Sequence, residues 1–181
     1  MVVAIFTSGK DKKETIVFLI KFYILFFFLF FILNYFGEYI VEVVAYLSYI
    51  FVKLIIPNAK IINNIIYLPN AEVEVIKECT GSFITSGILS LIILYSKNIK
   101  EFIIGLFFLL LAFFVNIFRI VLVCYYVNLY PKNPIFYHDI VGYIIILSLI
   151  PILVLGYLKV IDIIREGNNA IHKGKYLKNK S

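Results

Sequence analysis

The chain has 181 residues, of which 62% are hydrophobic and only 15% charged, with a mean hydropathy of +0.99. A soluble domain of that size has no interior large enough to hide so much apolar surface, so lipid must be part of its solvent. The net charge of +6 would suggest a nucleic-acid partner in a soluble protein. Here the Lys and Arg gather mainly at the termini, as positive charge kept in the cytoplasm does, and no nucleic-acid partner is expected.

Residues 1–15 are short and charged (Lys10, Asp11, Lys12, Lys13, Glu14) and read as a cytoplasmic N-terminus. Residues 16–36 form an apolar run too long for the core of a secretory signal, with no small-residue cleavage site after it, so it is expected to stay as an anchor. Lys21 near its start can reach the headgroups along its apolar stem. Residues 38–56 are long enough to cross a bilayer but carry Glu38, Glu42 and Lys53. At about 100° per residue, those three share a face with Ala45, Tyr46 and Tyr49, and Val41, Val44, Leu47, Phe51 and Leu54 take the other. Such two-faced helices lie in the membrane surface, so this segment is read as interfacial.

Residues 59–78 have β-branched runs on both sides of Leu68-Pro69-Asn70-Ala71, and Glu72 to Val75 alternate polar and apolar, which predicts a small hairpin on the outer face. Three further apolar stretches, 80–96, 102–127 and 138–158, read as spans, each able to cross an apolar thickness of about 30 Å. Four spans put both termini on one side. That side then holds eleven basic residues against four on the other, in agreement with retention of positive charge inside. The expectation is an all-α membrane bundle of about four transmembrane helices with an outer interfacial helix and a small extracytoplasmic β-hairpin. It forms a single membrane domain over 1–181, with its core at 16–158 and a basic cytoplasmic tail at 159–181.

Three residues stand out for where they fall. Cys79 opens the 80–96 span, His138 opens the last span, and Arg119 lies about 25 Å along the third, so all three approach one depth from separate helices. A thiol, an imidazole and a guanidinium at one level suggest acyl transfer. The thiolate is the attacking form, and a helix N-terminus or a nearby cation favours it. His138 can serve as general acid to a leaving amine, and Arg119 offers fixed donors to a developing oxyanion. An arginine inside a membrane is costly, which marks it as functional. Singly, each residue has a plainer reading: a small buried hydrophobe for Cys79, a cap for His138, and a structural ion pair of Arg119 with Asp139 or Glu78.

Asn116, one turn from Arg119, is expected to hold the guanidinium or the substrate backbone, and Thr80, Gly81 and Asp139 complete the supporting or substrate-positioning set. Asp139 is an N-cap candidate more than an orienting partner for His138. Cys79, Ser82, Ser86 and Ser90 form one small stripe, and Gly105, Ala112, Asn116 and Arg119 another, both suited to close helix contact. Cys124, about 140° around the helix from Arg119, is expected to face elsewhere and pack. His172 falls in the basic tail and is expected to be inert. Two cysteines are too few for a disulfide framework, and no cluster with ligand spacing suggests a metal or other cofactor.

The segments Glu78-Cys79-Thr80-Gly81, Asn116-Ile117-Phe118-Arg119 and His138-Asp139-Ile140-Val141-Gly142, in this order on successive helix ends, resemble the archaeosortase/exosortase family of membrane cysteine transpeptidases. The resemblance runs from about Val41 to about Tyr157. It implies catalytic roles for Cys79, Arg119 and His138. It further implies secreted protein substrates that end in a short motif, a hydrophobic helix and a basic cluster, cut at the motif and transferred through a thioester to a lipid or other surface acceptor. The absence of extra spans resembles the compact archaeal-type members. The competing readings are a non-enzymatic scaffold or transporter accessory subunit, in which Arg119 pairs with a carboxylate on a partner helix, and a protease that hydrolyses without transfer.

Overall fold

The computed structural model describes the backbone of residues 9–178 and the side chains of residues 12–167. Its elements in chain order are α1 (Gly9–Tyr35), α2 (Gly37–Ile55), β1 (Lys60–Ile62), β2 (Ile65–Tyr67), β3 (Glu72–Glu74), a 3-10 turn (Lys77–Thr80), α3 (Ser82–Tyr95), α4 (Ile99–Leu129) and α5 (Pro134–Lys178). Among the described residues, four segments are long and apolar enough to cross a membrane: Lys12–Tyr35, Lys77–Tyr95, Ile99–Leu129 and Pro134–Gly167. They overlap the four spans read from the sequence, differing by a few residues at most ends. α2 is not among them, since Glu38, Glu42 and Lys53 interrupt it.

α1, α3, α4 and α5 run alternately between two ends. The sheet, the 3-10 turn and the α4–α5 connection share one end, called here the sheet end. The starts of α1 and α4 and the far half of α5 share the other. α1 leans on α3, where Phe26 and Phe30 meet the Phe83 ring edge-on at 5.0 and 6.1 Å. Most of its other large side chains, Ile16, Ile24, Phe28 and Phe31 among them, are exposed to what must be lipid.

α2 packs on α4 through Val41, Val44, Ala45, Ser48 and Val52, a stripe at helical spacing that joins Ile117, Ile120, Val121 and Cys124 in one core. This corrects the expected division of its faces. Ala45 lies on the buried side, whereas Phe51 and Leu54 are 42% and 76% exposed. The small residues 45 and 48 set the contact because they admit α4 closely, and the bulky apolar ones are left for lipid. At the α1–α2 corner Gly37 is backed by the Lys77 stem, and Lys77 Nζ pairs with Glu38 at 3.3 Å.

The segment after α2 forms two hairpins, not one. The antiparallel order is β1-β2-β3, with Ile61 opposite Ile66 and Ile66 opposite Val73. The β2–β3 turn falls at Leu68–Ala71 as expected, closed by Leu68 N–H donating to Ala71 O at 2.8 Å. The additional β1–β2 turn uses Asn63 at φ 55°, a left-handed conformation that Asn tolerates. Ile66 and Val75 drop into the core shared by α2 and α4. Two bonds between Asn70 and Asn128, at 3.0 and 3.1 Å, pin the sheet to the end of α4.

α3 and α4 form a tight antiparallel pair. Asn98 caps α4 by accepting from Glu101 N–H at 3.0 Å, and the Glu101 carboxylate reaches back to Asn98 Nδ2 and Lys97 N–H, a reciprocal capping arrangement. Gly105 lies so close to the buried Ile92 that an added Cβ would stand 2.5 Å from its Cγ2. α5 has 45 residues, about 67 Å of helix, more than the membrane thickness requires. The expected tail at 159–181 is therefore helical to Lys178, and the side chain of His172 lies outside the described residues. Arg165 ties this extension down, with Nη2 and Nε on the Glu101 carboxylate at 2.7 and 3.2 Å and Nη2 also on Tyr95 O at 2.7 Å.

Candidate active site

Cys79 sits in the 3-10 turn just ahead of α3, its N–H donating to Ile76 O at 2.9 Å. The turn is held by Thr80, whose hydroxyl donates to Lys77 O at 2.7 Å and shares a hydrogen bond of 2.6 Å with Ser82 Oγ. Gly81 then takes φ +73°, a region that side chains disfavour. An added Cβ there would also stand 3.1 Å from the Asn116 side chain. Gly81 is thus required both by the turn and by what packs on it.

Asn116 joins Cys79 to Arg119. Its Nδ2 donates to Cys79 O at 2.8 Å, and its Oδ1 accepts from Arg119 Nη1 at 3.4 Å. All three residues are buried, Arg119 to within 9% exposure. Below them Ser86 and Ser90 bond to carbonyls one turn back on their own helix, at 2.7 Å each. Their hydroxyls are satisfied locally, and the stripe presents a small face to α4.

The structure brings Cys79, Arg119 and His138 together around one cleft, whose other walls are Val73, Glu74, Val75, Ile120 and Val123. It is narrow, about 10 Å³, room for about one water, so a peptide can enter only when the walls part. Arg119 Nε is buried there with no hydrogen-bond partner, and among the described residues no carboxylate pairs with this guanidinium. Neither expected partner, Glu78 or Asp139, pairs with it, and Asp139 is engaged elsewhere. Its Oδ1 lies 3.0 Å from His138 Nδ1, which makes Nδ1 the protonated nitrogen and leaves Nε2 free (a carboxylate can only accept).

This corrects the N-cap reading of Asp139. α5 begins at Pro134, with Tyr137 N–H already bonded to Asn133 O, so Asp139 lies inside the helix and contacts the imidazole instead. Cys124 does pack, fully buried, but in the same cluster as Cys79. α2, the sheet and the 3-10 turn wrap α4 over so wide an arc that positions 140° apart on it (five residues) both face core. Two contributors were missed in the sequence. Glu74 of β3 walls both this cleft and an adjoining one of about 200 Å³ that His138 also lines. Gly142 lies directly against Arg119, and its signal was a glycine well inside a helical run. Among the described residues no group of three His, Cys, Asp or Glu side chains is placed to hold a metal ion.

A buried sulfur, a guanidinium with one unpartnered N–H and an imidazole thus line one cleft. A family model described as transmembrane exosortase (Exosortase_EpsH) matches residues 1–155 of the chain. A relative from Methanocaldococcus jannaschii named "Probable archaeosortase E" is 62% identical over 173 residues, covering 95% of this chain and 94% of the relative. No solved structure matches the chain.

Proposed function

The chain belongs to the transmembrane exosortase family, and from that premise we propose that it is a cysteine transpeptidase that sorts secreted proteins at the membrane. Its substrates end in a short motif, a hydrophobic helix and a basic cluster. The enzyme cuts at the motif and passes the new C-terminus to a lipid or other surface acceptor. The observation that carries this reading is the single cleft walled by Cys79, Arg119 and His138, with Asn116 bonded to both the cysteine carbonyl and the guanidinium.

His138 Nε2 takes the thiol proton as Cys79 Sγ attacks the scissile carbonyl carbon. The resulting oxyanion is met by guanidinium N–H groups, of which Nε has no other partner; donors fixed in place before reaction are worth most in a site that excludes water. Collapse breaks the C–N bond, the imidazolium gives its proton to the leaving amine, and a thioester remains on Cys79. An acceptor O–H or N–H then loses its proton to His138 and attacks the thioester, and Cys79 is released as the thiol. Asp139 holds Nδ1–H throughout, which keeps Nε2 as the proton-carrying position.

The sheet end faces outside, because the opposite end carries Lys97, Lys100, Lys159 and Arg165 together with the basic N-terminus and positive charge is retained inside. A substrate held by its own apolar helix meets the site in two dimensions, which raises its effective concentration. In the scaffold reading Arg119 instead pairs with a carboxylate on a partner helix, and function does not depend on the Cys79 thiol. The test is co-expression with a co-encoded secreted protein bearing such a C-terminal signal. The Cys79→Ala enzyme is expected to insert normally and leave that protein unprocessed; normal processing by it would overturn the mechanism.

A further inference from the structure

We propose that Gly142 is a positioning residue for this reaction: its missing side chain admits the Arg119 guanidinium against α5 and so fixes the cation relative to His138, one turn away on the same helix. The inference rests on the transpeptidase reading above. A glycine inside a helix weakens it relative to alanine, so its presence there calls for a specific contact. That contact is with the guanidinium. An added Cβ at Gly142 would stand 3.1 Å from Arg119 Nε, 3.6 Å from Nη2 and 3.8 Å from Cζ.

The guanidinium is thereby held on two sides. Asn116 grips Nη1 from α4, and the bare α5 backbone at Gly142 lies against the guanidinium. Because Gly142 and His138 are four residues apart on one helix, they lie on the same face. The axial position of α5 therefore sets both the cation and the imidazole at once. A methyl group at residue 142 would move Nε by a few tenths of an ångström, since Arg119 is buried and already tethered at its far end. Catalytic alignment is sensitive on that scale, with misplacement by about 1 Å costing about 100-fold.

A matched control exists in the same helix pair. Gly156 approaches α4 as closely, its added Cβ standing 3.2 Å from Phe108 Cε1, but among the rings of the tail half of the bundle and away from the cleft. Gly142→Ala and Gly156→Ala are made in the full chain, purified in detergent, and assayed with the sorting signal of a co-encoded secreted protein fused to a fluorescent carrier. Gly142→Ala is expected to lower kcat about 10-fold with KM unchanged and the folded yield preserved, the loss that a shift of about half an ångström at the reacting groups entails. Gly156→Ala, which moves no reacting group, is expected to leave kcat within about twofold. Equal effects of the two substitutions, a change confined to KM, or loss of folded Gly142→Ala protein would each overturn the proposal, because each makes the glycine a packing requirement only. Wild-type processing by a parallel Cys79→Ala sample would instead bring down the underlying transpeptidase reading.

Discussion

Replacing Glu101 by Leu should be among the most damaging single changes to the fold, although it lies far from the candidate site. The carboxylate is 2% exposed and accepts from Arg165 twice, from Lys97 N–H and from Asn98 Nδ2. Removing one member of a buried ion pair costs about 3–5 kcal/mol, mostly because the other charge is left uncompensated. Arg165 is 21% exposed and the pair sits at the rim of the bundle, where water can reach the orphaned guanidinium. The lower figure, about 3 kcal/mol, is therefore expected. Lys97 and Asn98 are exposed and recover their bonds from water. At about 2–4 °C per kcal/mol for a chain of this length, the Tm should fall by about 6–12 °C. The assay is thermal unfolding in detergent, followed by the reaction of a thiol-sensitive dye with Cys79 and Cys124, both buried in the native fold. Adding Arg165→Met should restore most of the loss, because an apolar pair of similar volume is close to neutral against a buried ion pair. A Tm within about 2 °C of the parent, under 1 kcal/mol on the same scale, or a double variant weaker than the single, would refute this account of how α5 is tied to the α3–α4 turn.

Two further outcomes follow from the packing and from the imidazole. Gly105→Ala puts a Cβ 2.5 Å from the fully buried Ile92, so it should cost about 1–3 kcal/mol by overpacking. Combined with Ile92→Ala it should cost less than the two single changes together, as measured by the same unfolding assay; strict additivity would mean the two side chains do not compete for that space. Asp139→Asn should lower turnover about 10-fold by letting the imidazole adopt the other tautomer. The effect is smaller than in buried triads because His138 and Asp139 are 40% and 53% exposed. An unchanged rate would remove the carboxylate from the mechanism.

Much of the molecule was legible in its residue order because a bilayer imposes a simple length rule. The four apolar runs could be nothing shorter than spans, and Leu68–Ala71 announced a turn between two β-branched runs. What stayed hidden depended on partners. The face of α2 that is buried is chosen by where α4 can approach closely, at Ala45 and Ser48, and hydrophobicity alone pointed instead to Phe51 and Leu54. The β1–β2 turn at Asn63-Asn64 has no glycine, so its two asparagines, which tolerate the left-handed conformation, were its only local signal. Asp139 looked like a cap because the last span seemed to begin at His138; Pro134, four residues earlier, starts the helix and turns that carboxylate toward the ring. At the candidate site, Cys79, Arg119 and His138 were visible as costly or reactive groups in a membrane setting. Glu74 was not, since a strand edge over a cleft leaves no chemical signature in its own segment, and Gly142 showed only as a glycine inside a helical run, without the contact it makes.

The central claim, that Cys79 carries the acyl group within a site shared with Arg119 and His138, is tested most directly by mass spectrometry of the enzyme mixed with its substrate in the absence of acceptor. The account predicts an adduct of the substrate's N-terminal portion on the peptide containing Cys79, released by hydroxylamine as thioesters are and strongly reduced in an Arg119→Lys enzyme. Efficient cleavage with no such adduct, or with the adduct on Cys124, would contradict it.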